Sequence, residues 1–340
     1  MIPVEDKIKI TVSKETYDIL IKDCSNFEFF KNETTLNKNL FLNTLIVNYY
    51  ERFTANEEIF KDKLIHEIEK YCKSDSLELL ERLLNIIAKN NYKSKKKTET
   101  INLKPTKLSE KAISDITNNY INDTSIAFFY RSLFDSYISI PQNYRELIIF
   151  KENYELALDS IKKNRKVCIT LKNGEIIRDA SIYAIESAKE ELYNYILYTN
   201  RNNKTLTSRL NRIKYISLSN EKREISDEAM TLFQKQIKYG VQYPVYSLDE
   251  EPVIIKLNQR GQSLFKKIYL YRPIPDKIEN DLYYFNCSHN QIIHYFKRFG
   301  YDAIIISPIS LTQKMKDYYF YASRKYDKIL LKSKDKISNN

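Results

Sequence analysis

The chain has 340 residues, 43% of them hydrophobic, with 55 Lys and Arg against 44 Asp and Glu for a formal net charge of +11. That length and apolar content support two or three domains with real cores. No apolar run approaches the ~20 residues that span a bilayer. The amino terminus, MIPVEDKIKI, has no signal-peptide core. Cys24, Cys72, Cys168 and Cys287 form no CxxC pair, so a disulfide framework and a zinc site are set aside and a cytoplasmic protein is expected. The positive surplus is uneven. Residues 1–150 hold 22 cations against 22 carboxylates, residues 151–235 hold 16 against 12, and residues 236–340 hold 17 against 10. A basic chain suggests an anionic partner, and all of the excess lies beyond residue 150.

The amino-terminal part reads as a weak repeat. Residues 7–12 (KIKITV) alternate polar and apolar side chains, which predicts a short strand with Ile8, Ile10 and Val12 on one face. Ser13 then caps a helix, SKETYDILIKDC. A linker leads to a second helix, LNKNLFLNTLIVNYYERF, with Thr34 or Thr35 as its cap. A helical connector is expected over residues 57–90, ending in the exposed polar run NNYKSKKK. The pattern then returns. Residues 100–104 (TINLK) alternate, LSEKAISDITNNY reads as a helix, and a cap near Asp123 or Thr124 starts SIAFFYRSLFDSYI, which Pro141 ends.

A strand–helix–helix unit with a polar-alternating strand resembles the ribbon-helix-helix DNA-binding fold. In that fold two units pair their strands into an antiparallel ribbon that enters the major groove and reads base edges with alternate side chains. Carried over by position, the resemblance implies groove-facing Lys7, Lys9 and Thr11 in the first copy and Thr100, Asn102 and Lys104 in the second. The second-helix N-termini near Thr35 and Thr124 would hold phosphates through backbone N–H groups. The two strands could pair within one chain or each across a dimer. The plainer alternative is a dimerisation module that makes no DNA contact.

After a helix at residues 153–164 the chain turns β-rich. Residues 166–171 (KVCITL) read as a strand, Asn173-Gly174 as a type I′ hairpin turn, and residues 175–185 as the returning strand. Next come two β-rich runs, residues 193–199 and 206–216, around an Asn-rich turn. From residue 200 to 220 there are five cations (Arg201, Lys204, Arg209, Arg212 and Lys214) and no Asp or Glu. Arginines fork onto phosphates and aromatic faces stack on bases, so this stretch suits an anionic ligand; the alternative is a solvated basic face. Short strands joined by tight turns suggest a small barrel, followed by a helix at residues 226–239. The last part reads as strand 252–257, helix 259–270, strand 281–286, helix 290–300 ending at a left-handed Gly300, strand 302–307 and helix 310–325, an order that suggests a ferredoxin-like α+β domain with one strand unaccounted for. A frayed basic tail is expected from residue 328.

This order of elements resembles the WYL-domain family. Residues 193–199 match its aromatic strand, and residues 208–213 (SRLNRI) match the element that follows. The family's naming triplet falls on Tyr193-Asn194-Tyr195, with none of its residues retained, and Asn211 replaces the usual acid. Residues 252–325 resemble the C-terminal extension of such proteins. The resemblance implies a barrel like Sm folds that binds nucleic-acid or nucleotide ligands in a basic pocket, often in dimeric transcription regulators. Members with ribbon-helix-helix N-termini also include accessory proteins of type VI CRISPR systems, which the tandem layout here especially resembles. Mapped by position, the pocket residues are Arg209 and Arg212, with Arg201, Lys204, Tyr193 and Tyr198. Core packing is the competing role for Tyr193 and Tyr195.

The expected architecture is therefore α+β. Ribbon-helix-helix-like units occupy residues 1–56 and 98–150, joined by a connector at 57–97. An Sm-like or SH3-like small β-barrel with its leading helix fills 151–240, a ferredoxin-like extension 241–326, and a basic tail 327–340. His66, His289 and His294 share no metal-ligand spacing, and four glycines leave no nucleotide-binding loop, so no enzyme, cofactor or metal is expected. The leading reading is a homodimeric DNA-binding regulator whose barrel senses a nucleic-acid-type ligand. The second is a CRISPR accessory protein that binds single-stranded RNA and modulates the effector nuclease. The third is a module whose basic surface meets an acidic protein.

Overall fold

The computed structural model describes residues 7–69, 79–80, 82–84, 98–121, 125–247 and 251–338, with side chains described as far as Leu330. The chain is a mixed α+β protein with three antiparallel sheets among these residues. It divides into two compact units, residues 1–154 and 155–340. Among the described residues no helix is long and apolar enough to cross a membrane.

In the first unit, β1 (Ile8–Ser13) pairs antiparallel with β2 (Thr98–Leu103), Ile8 opposite Leu103, Ile10 opposite Ile101 and Thr11 opposite Thr100. The two strands pair within one chain. Side chains alternate across a strand, so the apolar set turns inward together: Ile10, Val12, Ile101 and Leu103 are buried, each worth about 1.5–3 kcal/mol. Ser13 caps α1 (Lys14–Asn26), its Oγ accepting the Thr16 N–H at 3.0 Å. The second helix, α2, is one continuous element, Lys38–Glu69, so no break separates it from the start of the expected connector. The rest of that connector lies largely outside the described residues. The α2 cap is Asn37, whose Oδ1 accepts the Leu40 N–H at 3.2 Å, rather than Thr34 or Thr35. Asn37 wins because Asn32 ties up the loop ahead of it, accepting the N–H groups of Thr34 and Thr35 at 3.3 and 2.8 Å.

The second copy supplies α3 (Glu110–Asn119) and α4 (Ile126–Ile138). Ser125 caps α4 by accepting the Phe128 N–H at 3.2 Å; Asp123 and Thr124, expected in that role, lie outside the described residues. Helix α4 ends at Ile138, ahead of Pro141 as expected, and Pro141 also opens a further helix, α5 (Gln142–Ile149). A buried ion pair binds these elements together. Arg145 of α5 donates to Asp23 of α1 through Nε (2.6 Å) and Nη2 (2.9 Å), and the Tyr137 hydroxyl of α4 donates to the same carboxylate at 3.0 Å. Burial and the adjacent carboxylate hold the Tyr137 phenol well above its ordinary pKa.

Helix α6 (Lys151–Lys162) leads into the second unit and its five strands: β3 (Arg165–Leu171), β4 (Ile176–Ser187), β5 (Asn194–Thr199), β6 (Thr205–Arg209) and β7 (Ile213–Lys222). Their order is β6-β5-β4-β3-β7. The expected single strand over residues 206–216 is thus two, broken by a 3-10 turn at Leu210–Arg212. That break decides the shape of the sheet. Four strand spacings would part the edges by about 19 Å in a flat sheet. The link from Arg209 to Ile213 reaches at most about 14 Å even when extended. The sheet must therefore curl until β6 and β7 approach. The Asn173-Gly174 turn also differs from expectation. Only Gly174 has positive φ (91°), and its N–H bonds the Leu171 carbonyl at 3.0 Å while Leu171 N–H bonds Glu175, giving a three-residue loop with a glycine bulge in place of type I′. Helix α7 (Asp227–Tyr239), capped by Ser226, packs Phe233 flat on Tyr183 of β4.

The remaining elements are β8 (Val253–Leu257), α8 (Gln259–Lys267), β9 (Lys277–Glu279), β10 (Leu282–Phe285), α9 (His289–Phe296), β11 (Ala303–Ser307) and α10 (Ile309–Ser338). Strand order is β11-β8-β10-β9, all antiparallel, and the unaccounted strand is β9. Helix α9 stops at Phe296, and the left-handed Gly300 opens a separate 3-10 turn. The expected frayed tail continues as helix to Ser338. Gly261 lets α8 lie against the start of β11, because a Cβ there would sit 2.2 Å from the Asp302 carbonyl oxygen.

Candidate nucleic-acid interface

Two surfaces hold the residues singled out in the sequence, one in each unit. The first is the outward face of the β1–β2 ribbon. Register sets Lys9 beside Asn102 and Thr11 beside Thr100, with Lys7 and Lys104 at one end. Thr11 is half-buried; the other five are exposed. Four of the six sequence-chosen ribbon residues thus lie in one strand pair, Lys7 and Lys104 flank its end, and no carboxylate shares their face among the described residues. The ribbon is held from behind by both copies in a crossed manner. Asn39 of α2 exchanges two hydrogen bonds with the backbone of Lys104 (2.9 and 3.0 Å). Arg131 of α4 donates its Nε–H to the Thr11 carbonyl at 2.6 Å. The second helix of each copy therefore grips the strand of the other.

Thr35 stands two residues before the α2 cap, its own N–H spent on Asn32. Sequence reasoning missed Lys38, the first residue of α2, whose Nζ donates to the Tyr17 hydroxyl at 3.0 Å. A lysine opening the second helix was the available signal. A pocket of about 250 Å³ opens beside β2, with Lys38, Asn39, Thr100 and Asn102 among its polar lining residues and Leu20 and Phe41 among its apolar ones. Cys24 also lines it; burial pushes its thiol up to about 11, so it stays protonated at neutral pH.

The second surface is the corner between β6 and β7. Here Arg209, only 19% exposed at its side chain, stacks on Tyr193 with its guanidinium carbon 3.7 Å from the ring centre. Its Nε donates to the Tyr195 hydroxyl at 3.2 Å and its Nη2 to Glu191 at 3.4 Å, while Tyr195 donates to the same Glu191 oxygen at 2.5 Å. Burial, reinforced by the bond to Glu191, raises the Tyr195 phenol above its ordinary pKa. Glu191 was missed because its approach depends on a turn in which Leu192 adopts φ 55°, which nothing in the local sequence announces.

The other expected pocket residues are dispersed. Tyr195 pairs with Arg209 and Thr199 with Thr205, so the turn carrying Arg201 and Lys204 lies about 14 Å along the hairpin from Arg209. That turn is organised by Asn200, whose Oδ1 accepts the N–H groups of Asn202 and Lys204. Arg201 and Lys204 are exposed, as is Arg212 past the corner. Tyr198 is 2% exposed and bonds Ser208 inside the sheet, so it is a core residue in this arrangement. Tyr193 packs at the edge of the core cluster that holds Tyr195 and Phe233. The structure therefore joins Arg209 to Tyr193 and separates both from the turn cations.

No family model and no curated protein matches the chain. Among solved structures it is similar over 96% of its own length and 96% of the other chain to one described as the crystal structure of a CRISPR Cas-related protein, with a TM-score of 0.68 and 19% identity. That likeness is one of fold. A second, the proteasome accessory factor B/C of Arthrobacter aurescens, aligns with a TM-score of 0.25 and 12% identity, over 68% of this chain and 37% of that one.

Proposed function

We propose that this chain is a nucleic-acid-binding regulator of WYL-domain type, working by binding rather than by catalysis. In this reading β1 and β2 form a single-chain ribbon-helix-helix head that reads duplex DNA. The curled five-stranded sheet is an Sm-like barrel that senses an anionic nucleic-acid or nucleotide ligand, and the β11-β8-β10-β9 sheet is a ferredoxin-like extension. The observation that carries it is the ribbon face: Lys9, Thr11, Thr100 and Asn102 in one register, flanked by Lys7 and Lys104, with no described carboxylate among them. Alternating cations and short polar side chains on a strand pair suit phosphates at the rim and base edges in the groove. A homodimer would present two such ribbons at spaced half-sites.

The full-length likeness to a CRISPR Cas-related protein supports a second reading. There the chain is an accessory of a type VI CRISPR effector, holding single-stranded RNA at the barrel. One paired assay separates the two. Affinity for a duplex from the protein's own promoter is compared with that for single-stranded RNA of random sequence at several salt concentrations. Tight, sequence-dependent duplex binding is expected of a regulator. Binding of single strands alone overturns it in favour of the accessory, and binding of neither near physiological salt sinks both. In the single-strand arm, Arg209→Ala with Arg212→Ala should lower the salt slope by about 1.4 if each holds one phosphate.

A further inference from the structure

We propose that Glu191 is an internal stand-in for the phosphate that the barrel corner binds, so that a ligand engages Arg209 only by displacing it. The inference rests on the anion-binding reading of this corner and adds a threshold to it. An arginine fork binds carboxylate and phosphate in the same planar geometry, so a carboxylate seated on it competes directly with a phosphate. The fork here is already stacked on Tyr193 and steadied at Nε by Tyr195, which fixes its plane. Its Nη2 meets Glu191 at 3.4 Å, long beside the ~2.7–2.9 Å of a good charge-assisted bond. Its Nη1 has no hydrogen-bond partner among the described residues. The guanidinium is thus oriented but poorly satisfied.

The carboxylate sits on a loop built to hold it in place. Leu192, next in sequence, has φ 55°, a conformation uncommon for leucine. Two backbone bonds fix that turn, from Leu192 N–H to the Ala188 carbonyl (3.0 Å) and from Ala188 N–H to the Tyr193 carbonyl (2.9 Å). Glu191 itself is held by the Tyr195 hydroxyl and by Arg209, and its side chain is 21% exposed. A side-chain rotation would release it to water without breaking either backbone bond. The barrel's net positive charge then attracts many anions, while Glu191 admits to Arg209 only those that outcompete an acid already in place.

The test is the affinity of a fluorescent single-stranded RNA 12-mer, measured by anisotropy at one salt concentration, for the intact chain and four variants. Glu191→Gln keeps an acceptor for Tyr195 and removes the charge; it should bind roughly five- to tenfold more tightly than wild type. Glu190→Gln changes net charge equally one residue away and should shift affinity by less than about twofold. In an Arg209→Ala background, Glu191→Gln should give no gain beyond that control. An equal gain from both glutamine variants, or a gain that persists without Arg209, overturns the inference. Far-ultraviolet circular dichroism checks that each variant is folded.

A second arm needs no RNA. Inorganic phosphate is titrated while the Arg209 Nε–H resonance is followed by NMR. Tighter phosphate binding by Glu191→Gln than by wild type supports the stand-in even if no RNA binds, in which case the single-strand reading alone falls. Equal phosphate binding overturns the stand-in even if RNA binds well.

Discussion

The ribbon and the corner stand in opposite relation to the charge around them. Residues 1–154 balance 23 cations with 23 carboxylates, yet the ribbon's outward face shows Lys7, Lys9 and Lys104 and no described acid. Residues 155–340 carry the whole surplus, yet their best-oriented arginine, Arg209, already meets a carboxylate. Net charge sets the long-range field that draws an anion in. Which surface receives it is decided over a few ångströms, by the pleat that sorts side chains and by the turn that brings an acid to a guanidinium. The two surfaces should therefore respond separately to mutation.

The harshest way to probe that separation is through the first unit's core. Asp23 is fully buried and its two carboxylate oxygens are met by Arg145 and Tyr137. Asp23→Ala leaves an uncompensated buried guanidinium and should cost about 3–5 kcal/mol, seen as an early unfolding transition in urea. Duplex binding should collapse with it, while single-strand binding by the second unit stays close to wild type. Parallel loss of both activities would show that the units share their stability, and the comparison would fail.

A milder change targets the ribbon face alone. Lys9→Ala with Asn102→Ala removes one cross-strand pair from the outward face and leaves Ile8, Ile10, Ile101 and Leu103 untouched. For each base edge that the pair reads, the double variant should forfeit about 1–3 kcal/mol of duplex discrimination. The melting temperature and single-strand affinity should not move. A fall in single-strand affinity of the same size would mean that the ribbon serves as a general cationic surface rather than a reader.

Much of this is legible in the sequence, for identifiable reasons. The alternation of residues 7–12 and 100–104 marks both ribbon strands and their inward faces, because strand period and burial are tied by geometry. Pairing within one chain does not follow from that alternation, since each strand is equally ready for either partner. The 3-10 break at Leu210–Arg212 is hidden because SRLNRI has no Gly or Pro to mark it. The strand at residues 277–279 is too short to show a period. At the corner, Arg209 and Tyr193 emerge together, but Glu191 does not. An acid-free count from residue 200 to 220 cannot see an acid folded in from residue 191.

The smallest expected effect concerns Thr35. Its N–H goes to Asn32 Oδ1 at 2.8 Å, and its carbonyl accepts the Lys31 N–H at 2.8 Å. Neither bond uses the threonine side chain, so Thr35→Ala should change stability by less than about 0.5 kcal/mol and duplex affinity by less than about twofold. Asn37→Ala removes the side chain that caps α2 and should cost about 1 kcal/mol, with duplex affinity falling as the helix start that carries Lys38 and Asn39 loosens. The two alanine variants differ by two positions, which makes the contrast sharp. If Thr35→Ala weakens duplex binding more than Asn37→Ala does, the hydroxyl itself reaches the nucleic acid. The phosphate grip would then sit in the loop, ahead of the helix, and the ribbon's reading face would extend further from the strands than its register implies.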